Sequence, residues 1–345
     1  MPRTPSTLSS LARAGFARLD DARERLDRLG YAAEDFSLAP DPDLAVKTIA
    51  DLHDKNPSAL AKLWANNALK ESLVLLAGAS SGLGDFLRRH PDQWDLVGKP
   101  LASLPDAQSY RTMFQKFVAK SSGEEAAMAL RIAYRRELSR LALWDTRQAF
   151  PVAVVDQVAR ALADMASAAL DCALDIARAH HGWSAEDVPL AIIGMGKAGA
   201  SELNYLSDVD VIYVTEVPEG QDSHDVVRRA ELLARDTARY IMEFGVEPGL
   251  WEVDPNLRPE GKDGALVRTL ESHIAYYQRW AHDWEFQALI KARPLAGDRE
   301  LGARYRDAVE LMIWQASTRP GFVEQVQRMR ERGTAHIPPE QVDFQ

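Results

Sequence analysis

Two aspartates one residue apart are the clearest candidates for chemistry in this sequence. Asp208 and Asp210 open a run of β-forming residues, S-D-V-D-V-I-Y-V. Side chains alternate across a strand, so both carboxylates are predicted on one face, with Val209, Val211 and Tyr213 facing a core. Adjacent carboxylates repel each other unless a cation lies between them. Oxygen ligands on a rigid strand favour Mg²⁺ or Mn²⁺; the alternative is a solvated pair of aspartates at a sheet edge.

A glycine-rich turn precedes these aspartates. Gly194, Gly196 and Gly199 fit the G-x-G-x-x-G pattern of dinucleotide-binding folds and directly follow an apolar run. That fold needs a crossover helix before its next strand, but Asp208 follows Gly199 by only nine positions. The spacing therefore disfavours a dinucleotide site. The turn offers backbone N–H groups and the ammonium of Lys197, a combination that favours phosphate.

A third acidic residue follows the next apolar run, L-W-E-V-D-P-N. On a neighbouring strand, Asp254 would join Asp208 and Asp210 to give the three carboxylates that a two-metal phosphoryl-transfer site commonly needs. Arg258 follows four residues later and is a candidate for neutralising a phosphate oxygen.

The elements that must position these residues change character near residue 185. Upstream, the apolar residues recur at helical spacing between proline-marked turns. Helices are predicted near 42–53, 57–77, 105–119 and 122–145, with another after Pro151. A basic stripe on the 122–145 helix is predicted to be a solvated face, with a contact to a partner protein or phosphate as the alternative; it comprises Arg131, Arg135, Arg136 and Arg140.

Downstream of residue 185 the pattern mixes strands with helices. Three short apolar runs, V-P-L-A-I-I-G, D-V-D-V-I-Y-V-T-E and L-W-E-V-D-P-N, predict strands. A helix is predicted from Ser223, as its N-cap, to Phe244, before Gly245, and helices again from about residue 270. We therefore predict an α+β protein, with a helical arm over 1–184 and a core over 185–345 that has a small mixed sheet and flanking helices.

The composition of the chain limits the classes of partner and the cellular compartment that we expect. The net charge of −10 argues against nucleic acid as the main partner. The single cysteine, Cys172, lies in an apolar helical stretch and is expected to be buried and structural. A chain with one thiol, no secretion signal and no long apolar run is expected in the cytoplasm and away from membranes.

Five motifs in order now support a resemblance to a known family. They are Gly-Met-Gly-Lys at Gly194–Lys197, Glu-Leu-Asn-Tyr at Glu202–Tyr205, Ser-Asp-x-Asp at Ser207–Asp210, Val-Asp-x-x-Leu-Arg-Pro at Val253–Pro259, and Trp-Glu-x-Gln-Ala-x-x-Lys-Ala-Arg at Trp284–Arg293. Together they resemble glutamine synthetase adenylyltransferase, a member of the polymerase-β-like nucleotidyltransferases. The helical arm is also similar in F-L-R-R-H-P-D-Q-W-D-L-V and L-R-I-A-Y-R-R-E-L-S-R-L-A-L-W-D.

The resemblance implies a reaction and a partner. Enzymes of that family carry two such catalytic domains, of which the first removes AMP from a tyrosine of glutamine synthetase and the second adds it. This chain resembles the first, which implies phosphorolysis with release of ADP, magnesium or manganese as cofactor, and glutamine synthetase as protein substrate. A nitrogen-signalling regulatory protein is a further possible partner. The alternatives are the ATP-dependent adding half and a non-catalytic docking or regulatory module.

The resemblance also implies roles for particular residues. Asp208, Asp210 and Asp254 are expected to be the metal ligands. Contacts to phosphate or nucleotide are expected from Gly194, Gly196, Lys197 and Ser207, with Arg258, Lys291 and Arg293 as weaker phosphate candidates. The alternative for Lys291 and Arg293 is that they only decorate a helix end.

Two departures from the family pattern accompany the resemblance. Asn256 stands where family members often have arginine, so one phosphate contact is expected to be missing or supplied elsewhere. The chain ends at H-I-P-P-E-Q-V-D-F-Q, before the further segments that the family normally has. We therefore expect an excised domain or a truncated protein.

Overall fold

A computed structural model describes residues 7–334 of the chain. Its α-helices are α1 (Leu8–Arg13), α2 (Leu19–Leu29), α3 (Pro42–Lys55), α4 (Pro57–Trp64), α5 (Asn67–Ala79), α6 (Ser81–Arg89), α7 (Ala107–Val118), α8 (Gly123–Thr146), α9 (Val155–His181), α10 (Gly196–Ala200), α11 (Ser223–Met242), α12 (Leu270–Arg279), α13 (Asp283–Leu289), α14 (Arg299–Ser317) and α15 (Phe322–Thr334). The strands are β1 (Leu190–Gly194), β2 (Val209–Thr215), β3 (Val253–Asp254), β4 (Val267–Thr269) and β5 (Arg293–Gly297). Short 3₁₀ helices cover Ala33–Phe36, Pro91–Gly98, Pro151–Val154 and Gly261–Asp263. The terminal H-I-P-P-E-Q-V-D-F-Q lies outside the described residues.

The chain forms two compact units. One contains the described part of Met1–Leu104 together with Ala133–Val158, and the other contains Pro105–Ile132 with the described part of Ala159–Gln345. The expected boundary between 184 and 185 stays a prediction. Of the described helices, none is long and apolar enough to cross a bilayer.

The first unit is built from helices packed through apolar faces. The contact between α3 and α5 is extensive, and Ile49 and Leu73 are fully buried. The prediction of a single helix over 57–77 is wrong, because the helix is interrupted between α4 and α5. There the Asn66 side chain accepts hydrogen bonds from the N–H groups of Ala68 and Leu69 and starts a new helix.

The second unit contains the sheet, in the order β3-β2-β1-β5 with β4 also paired to β2. β1 pairs antiparallel with β2 and β5, whereas β3 and β4 run parallel to β2. This mixed sheet, in a chain whose described residues are 66% helical, confirms the predicted α+β class. The antiparallel β1–β2 pair also excludes the parallel crossover that a dinucleotide fold requires at this motif.

Both faces of the central strands are covered. Ile193, Ile212 and Val214 pack in a buried cluster with residues of α12 to α14, including Phe286 and Tyr305. On β2, Val209, Val211 and Tyr213 are at most 1% exposed, as their predicted core-facing positions require. Core packing therefore holds β2 in place on both sides of Asp210.

Two predictions about helices are corrected by the structure. The helix near 223 takes Asp222 as its N-cap, since that carboxylate accepts from the N–H of Asp225 and Ser223 is already helical. The helix predicted over S-H-I-A-Y-Y-Q-R-W-A-H-D-W-E-F-Q-A-L-I-K-A is divided at Trp280 into α12 and α13, and the unpredicted strand β5 lies between it and the next helix. The sequence R-P-L-A-G offered only a short apolar run after a proline, a pattern that gives no strand signal.

The arginine stripe of α8 is not a solvated face. Arg131 and Arg136 are 4% and 8% exposed. The Arg131 guanidinium donates to the Tyr240 carbonyl at 2.9 Å, and that of Arg136 forms an ion pair with Asp95 at 2.7 Å. These buried cations hold elements together within their own units, because a buried charge is tolerated only when it is paired or hydrogen-bonded.

Cys172 is buried in α9, as its apolar surroundings predict. Burial raises the pKa of its thiol to about 12, so the thiol stays protonated at neutral pH. This cysteine is therefore a structural residue and not a nucleophile.

Candidate metal and nucleotide site

Strand pairing brings the three predicted carboxylates together. In the parallel β2–β3 pair, Asp210 lies directly opposite Asp254. Asp208 immediately precedes β2, two residues from Asp210, and therefore lies on the same side of the strand. The three side chains offer oxygen atoms that all lie within 4.8 Å of one another.

The electrostatics of this cluster fit a cation. Within the described residues, no arginine or lysine forms an ion pair with Asp208, Asp210 or Asp254. Burial, together with the negative charges of Asp208 and Asp254, raises the pKa of Asp210 above its ordinary value. A divalent ion would relieve that repulsion, and an all-carboxylate donor set suits Mg²⁺ or Mn²⁺.

The glycine turn packs directly on the cluster. Gly194 ends β1, and the N–H of Met195 donates to the Asp210 carbonyl at 2.9 Å. Gly196 begins α10 with φ of +52°, a conformation that favours glycine. A Cβ atom at Gly196 would collide with the Asp210 carboxylate, so the close approach of turn and carboxylate depends on this residue.

Lys197 and Ser207 form a polar link to the cluster. The Lys197 ammonium donates to the Ser207 hydroxyl at 3.1 Å, and that hydroxyl donates to Asp208 at 3.3 Å. The positive charge of Lys197 also acts on Asp210, whose pKa it lowers against the larger raising effects. Both side chains thus lie beside the carboxylates, where a phosphate oxygen would meet an ammonium and a hydroxyl.

Arg258 is turned to the backbone instead. Its side chain is largely buried, and its three guanidinium nitrogens donate to the carbonyls of Pro255, Lys262 and Gly264 at 2.9 to 3.1 Å. These bonds fix the loop that follows Asp254. The structure therefore brings Arg258 to this loop and not to the open side of the carboxylates.

Lys291 and Arg293 do more than decorate a helix end, because both contact the segment formed by the glycine turn and the residues just after it. The Lys291 ammonium donates to the Glu202 carboxylate at 2.8 Å. The Arg293 guanidinium donates to the carbonyls of Ala198 and Gly199 at 2.8 and 3.0 Å. Sequence reasoning missed these contacts, although Glu202 and both basic residues lie in motifs that support the family resemblance.

Asn256 supports Asp254. Its N–H donates to the Asp254 carboxylate at 2.7 Å, which fixes the orientation of that side chain. A backbone donor does not depend on the side chain at 256, so this bond is compatible with either asparagine or arginine at that position.

Comparison with known proteins gives a consistent family match. The family model described as glutamate-ammonia ligase adenylyltransferase matches residues 70–308. The matched segment contains all three aspartates and the glycine turn.

Several curated relatives match the whole chain or nearly all of it. The bifunctional glutamine synthetase adenylyltransferase/adenylyl-removing enzyme of Leifsonia xyli subsp. xyli is 45% identical over 100% of this chain and 37% of its own length. The enzyme with the same description from Streptomyces coelicolor is 41% identical over 99% of this chain and 35% of its own length. The chain thus spans about a third of these relatives and corresponds to their N-terminal part.

Proposed function

The chain belongs to the glutamate-ammonia ligase adenylyltransferase family, and we propose that it removes AMP from a tyrosine of glutamine synthetase by phosphorolysis. The observation that carries the proposal is the registered pair Asp210–Asp254 with Asp208 beside it, three carboxylates that no described arginine or lysine neutralises in an ion pair. Such a cluster next to a glycine turn and a lysine is suited to phosphorus chemistry.

The three aspartates would hold Mg²⁺ or Mn²⁺. When bound, the cation would neutralise charge on the phosphoryl oxygens and on the departing tyrosyl oxygen. The chain's own groups supply the remaining functions. Lys197, Ser207 and the backbone at Gly194 and Gly196 would orient the phosphates of the nucleotide.

The proposed reaction exchanges one bond to phosphorus. An oxygen of inorganic phosphate bonds to the AMP phosphorus, and the bond from that phosphorus to the tyrosyl oxygen breaks. The tyrosyl oxygen takes up a proton, and the products are ADP and unmodified synthetase. Phosphate is already an anion, so this direction requires no strong general base.

The removing direction is favoured over the adding direction by position in the family. The chain corresponds to the N-terminal part of its bifunctional relatives. The family resemblance implies that the first catalytic domain of such enzymes is the removing one. The adding half would instead use ATP and release pyrophosphate. A docking or regulatory module is disfavoured because it has no need of three clustered carboxylates. A cytoplasmic location and a nitrogen-signalling partner are part of the same proposal.

The decisive experiment assays adenylylated glutamine synthetase with inorganic phosphate, Mg²⁺ and the chain. We expect phosphate-dependent release of ADP, reduced about a hundredfold or more in the double variant Asp208→Asn, Asp210→Asn, since charge stabilisation of the reacting phosphorus is lost. The variant should keep the far-ultraviolet circular dichroism spectrum of the wild type.

Matched controls separate the alternatives. Asp307→Asn changes an exposed carboxylate on α14 that pairs with its neighbour Arg306, and it should leave ADP release unchanged. Release of pyrophosphate from ATP with unmodified synthetase would identify the adding half. Binding of the synthetase without either product would identify a docking module, and undiminished ADP release from the double variant would reject the metal site.

A further inference from the structure

A cavity lies against the strand that carries Asp254. It has a volume of about 480 Å³ and is open to solvent on one side. Its walls come from α11 and the two residues after it, from Tyr213 of β2, from β3 and from the approach to β4. The apolar part of the wall is formed by Ala234, Ala238, Met242, Phe244, Val253 and Leu266. Its volume lies in the range of sites for small organic molecules, and its lining is mainly apolar.

The cavity and the carboxylate cluster share one short strand. Val253 and Pro255 line the cavity, and Asp254 between them belongs to the cluster. Because side chains alternate along an extended segment, Asp254 is directed away from its two neighbours. A molecule in the cavity would therefore contact the backbone segment that sets the position of Asp254.

The strand β3 is held loosely on its outer edge. It has only two residues, and its pairing is with β2. The N–H of Val253 donates to the sulfur of Met242 at 3.2 Å, and a thioether is a weak acceptor. Met242 also lines the cavity, so a bound molecule would act on both sides of this contact.

Two polar groups on the cavity wall have no partner among the described residues. Tyr213 is 1% exposed, and its buried hydroxyl makes no hydrogen bond there. Arg235 is exposed at the cavity and forms no ion pair in the described part of the chain. Arg239, also on the wall, is already neutralised by Glu124 and its helix neighbours Asp236 and Glu243.

We propose that this cavity is a regulatory binding site for a small apolar molecule that carries one anionic group. The apolar body would fill the space between α11 and β3, and the anion would pair with Arg235. Occupancy would shift β3 and with it the affinity of the carboxylate cluster for its cation. This site lies outside the turn proposed to bind phosphate and does not depend on which reaction the chain catalyses.

The test uses two fluorescent probes of similar size. The aromatic sulfonate 8-anilinonaphthalene-1-sulfonate has the proposed chemistry, and N-phenyl-1-naphthylamine lacks the anion. We expect saturable one-to-one binding of the sulfonate to the 345-residue chain. Arg235→Ala should raise the Kd of the sulfonate about fivefold and leave that of the neutral probe unchanged, whereas Ala238→Phe should weaken both. Arg228→Ala, which removes an exposed cation elsewhere on α11, should change neither.

The link to the cluster is measured separately. Saturation with the sulfonate should change the Kd for Mn²⁺ about fivefold or more, and Mn²⁺ should change the sulfonate Kd by the same factor, since coupling is reciprocal. Absence of saturable binding, or a sulfonate Kd unaffected by both Arg235→Ala and Ala238→Phe, would overturn the site. An unchanged Mn²⁺ affinity would overturn the link. A chain that binds the sulfonate but no Mn²⁺ would contradict the metal proposal and the link, while the probe titrations alone decide the cavity.

Discussion

At the scale of single residues, the candidate site depends most on Gly196. Its backbone has φ of +52°, and its α-hydrogen faces the carboxylate of Asp210 where a Cβ would collide. Two separate physical reasons therefore require glycine here, the left-handed backbone and the close approach. Only the second bears on the metal site.

We predict that Gly196→Ala weakens the binding of Mn²⁺ about tenfold or more, because a displaced Asp210 disturbs the donor set. The matched control is Gly220→Ala. Gly220 also has a positive φ, of +80°, but an added Cβ there would meet open space, with no heavy atom beyond its chain neighbours within 4 Å. Both variants should lose about 1 kcal/mol of unfolding free energy from backbone strain. Isothermal titration with Mn²⁺ distinguishes them, and equal Mn²⁺ affinities would contradict the role of Gly196.

The sequence predicted some residues of the site better than others. The aspartates were predictable because strand alternation and spacing place them without knowledge of the rest of the fold. The contacts of Arg258, Lys291 and Arg293 were not, since an arginine suits a backbone carbonyl as well as a phosphate. Which acceptor it meets depends on packing between segments far apart in the chain.

At the scale of elements, α10 is a five-residue helix that cannot be stable by itself. Arg293, at the start of β5, donates to two carbonyls at the end of α10. Gly199 lies so close to the Lys291 carbonyl that a Cβ there would collide with it. The segment that leads into β5 thus stabilises the glycine turn, which is proposed to bind phosphate.

We predict that Arg293→Ala increases amide hydrogen exchange in α10 about tenfold without phosphate present, because two charge-assisted hydrogen bonds are lost. Arg293→Lys should recover part of the protection, since an ammonium keeps the charge but lacks the planar fork. Exchange measured by mass spectrometry gives the result. Unchanged exchange in Arg293→Ala, with a higher KM for phosphate, would instead indicate a direct phosphate contact.

The elements that sequence reasoning missed share one property. β4 has three residues and β5 begins with Arg-Pro, so neither shows the alternating pattern by which β2 was predicted. Both exist because β1 and β2 offer them hydrogen-bonding edges. These strands form only when the sheet assembles, so a short window of local sequence does not predict them.

At the scale of the whole molecule, α9 belongs with the sheet although it precedes the predicted boundary at 185. The Asp171 carboxylate accepts from the N–H of Gly297 at 2.9 Å, and the Ser167 hydroxyl donates to the carbonyl of Leu295. Leu170 and Leu174 of the same helix are fully buried. Removal of α9 would expose one side of β5 and leave these polar groups without their partners.

A pair of fragments tests whether the core can be cut at the predicted boundary. We expect the fragment 185–345 to lack a cooperative thermal transition, because β5 loses the apolar cover and the hydrogen bonds of α9. The fragment 105–345 retains all residues of the second unit and should unfold cooperatively. Circular dichroism during heating, with Mn²⁺ titration as a second readout, compares the two. If 185–345 unfolds cooperatively and binds Mn²⁺ as tightly as the longer fragment, then the boundary at 185 is correct and α9 is dispensable for the core.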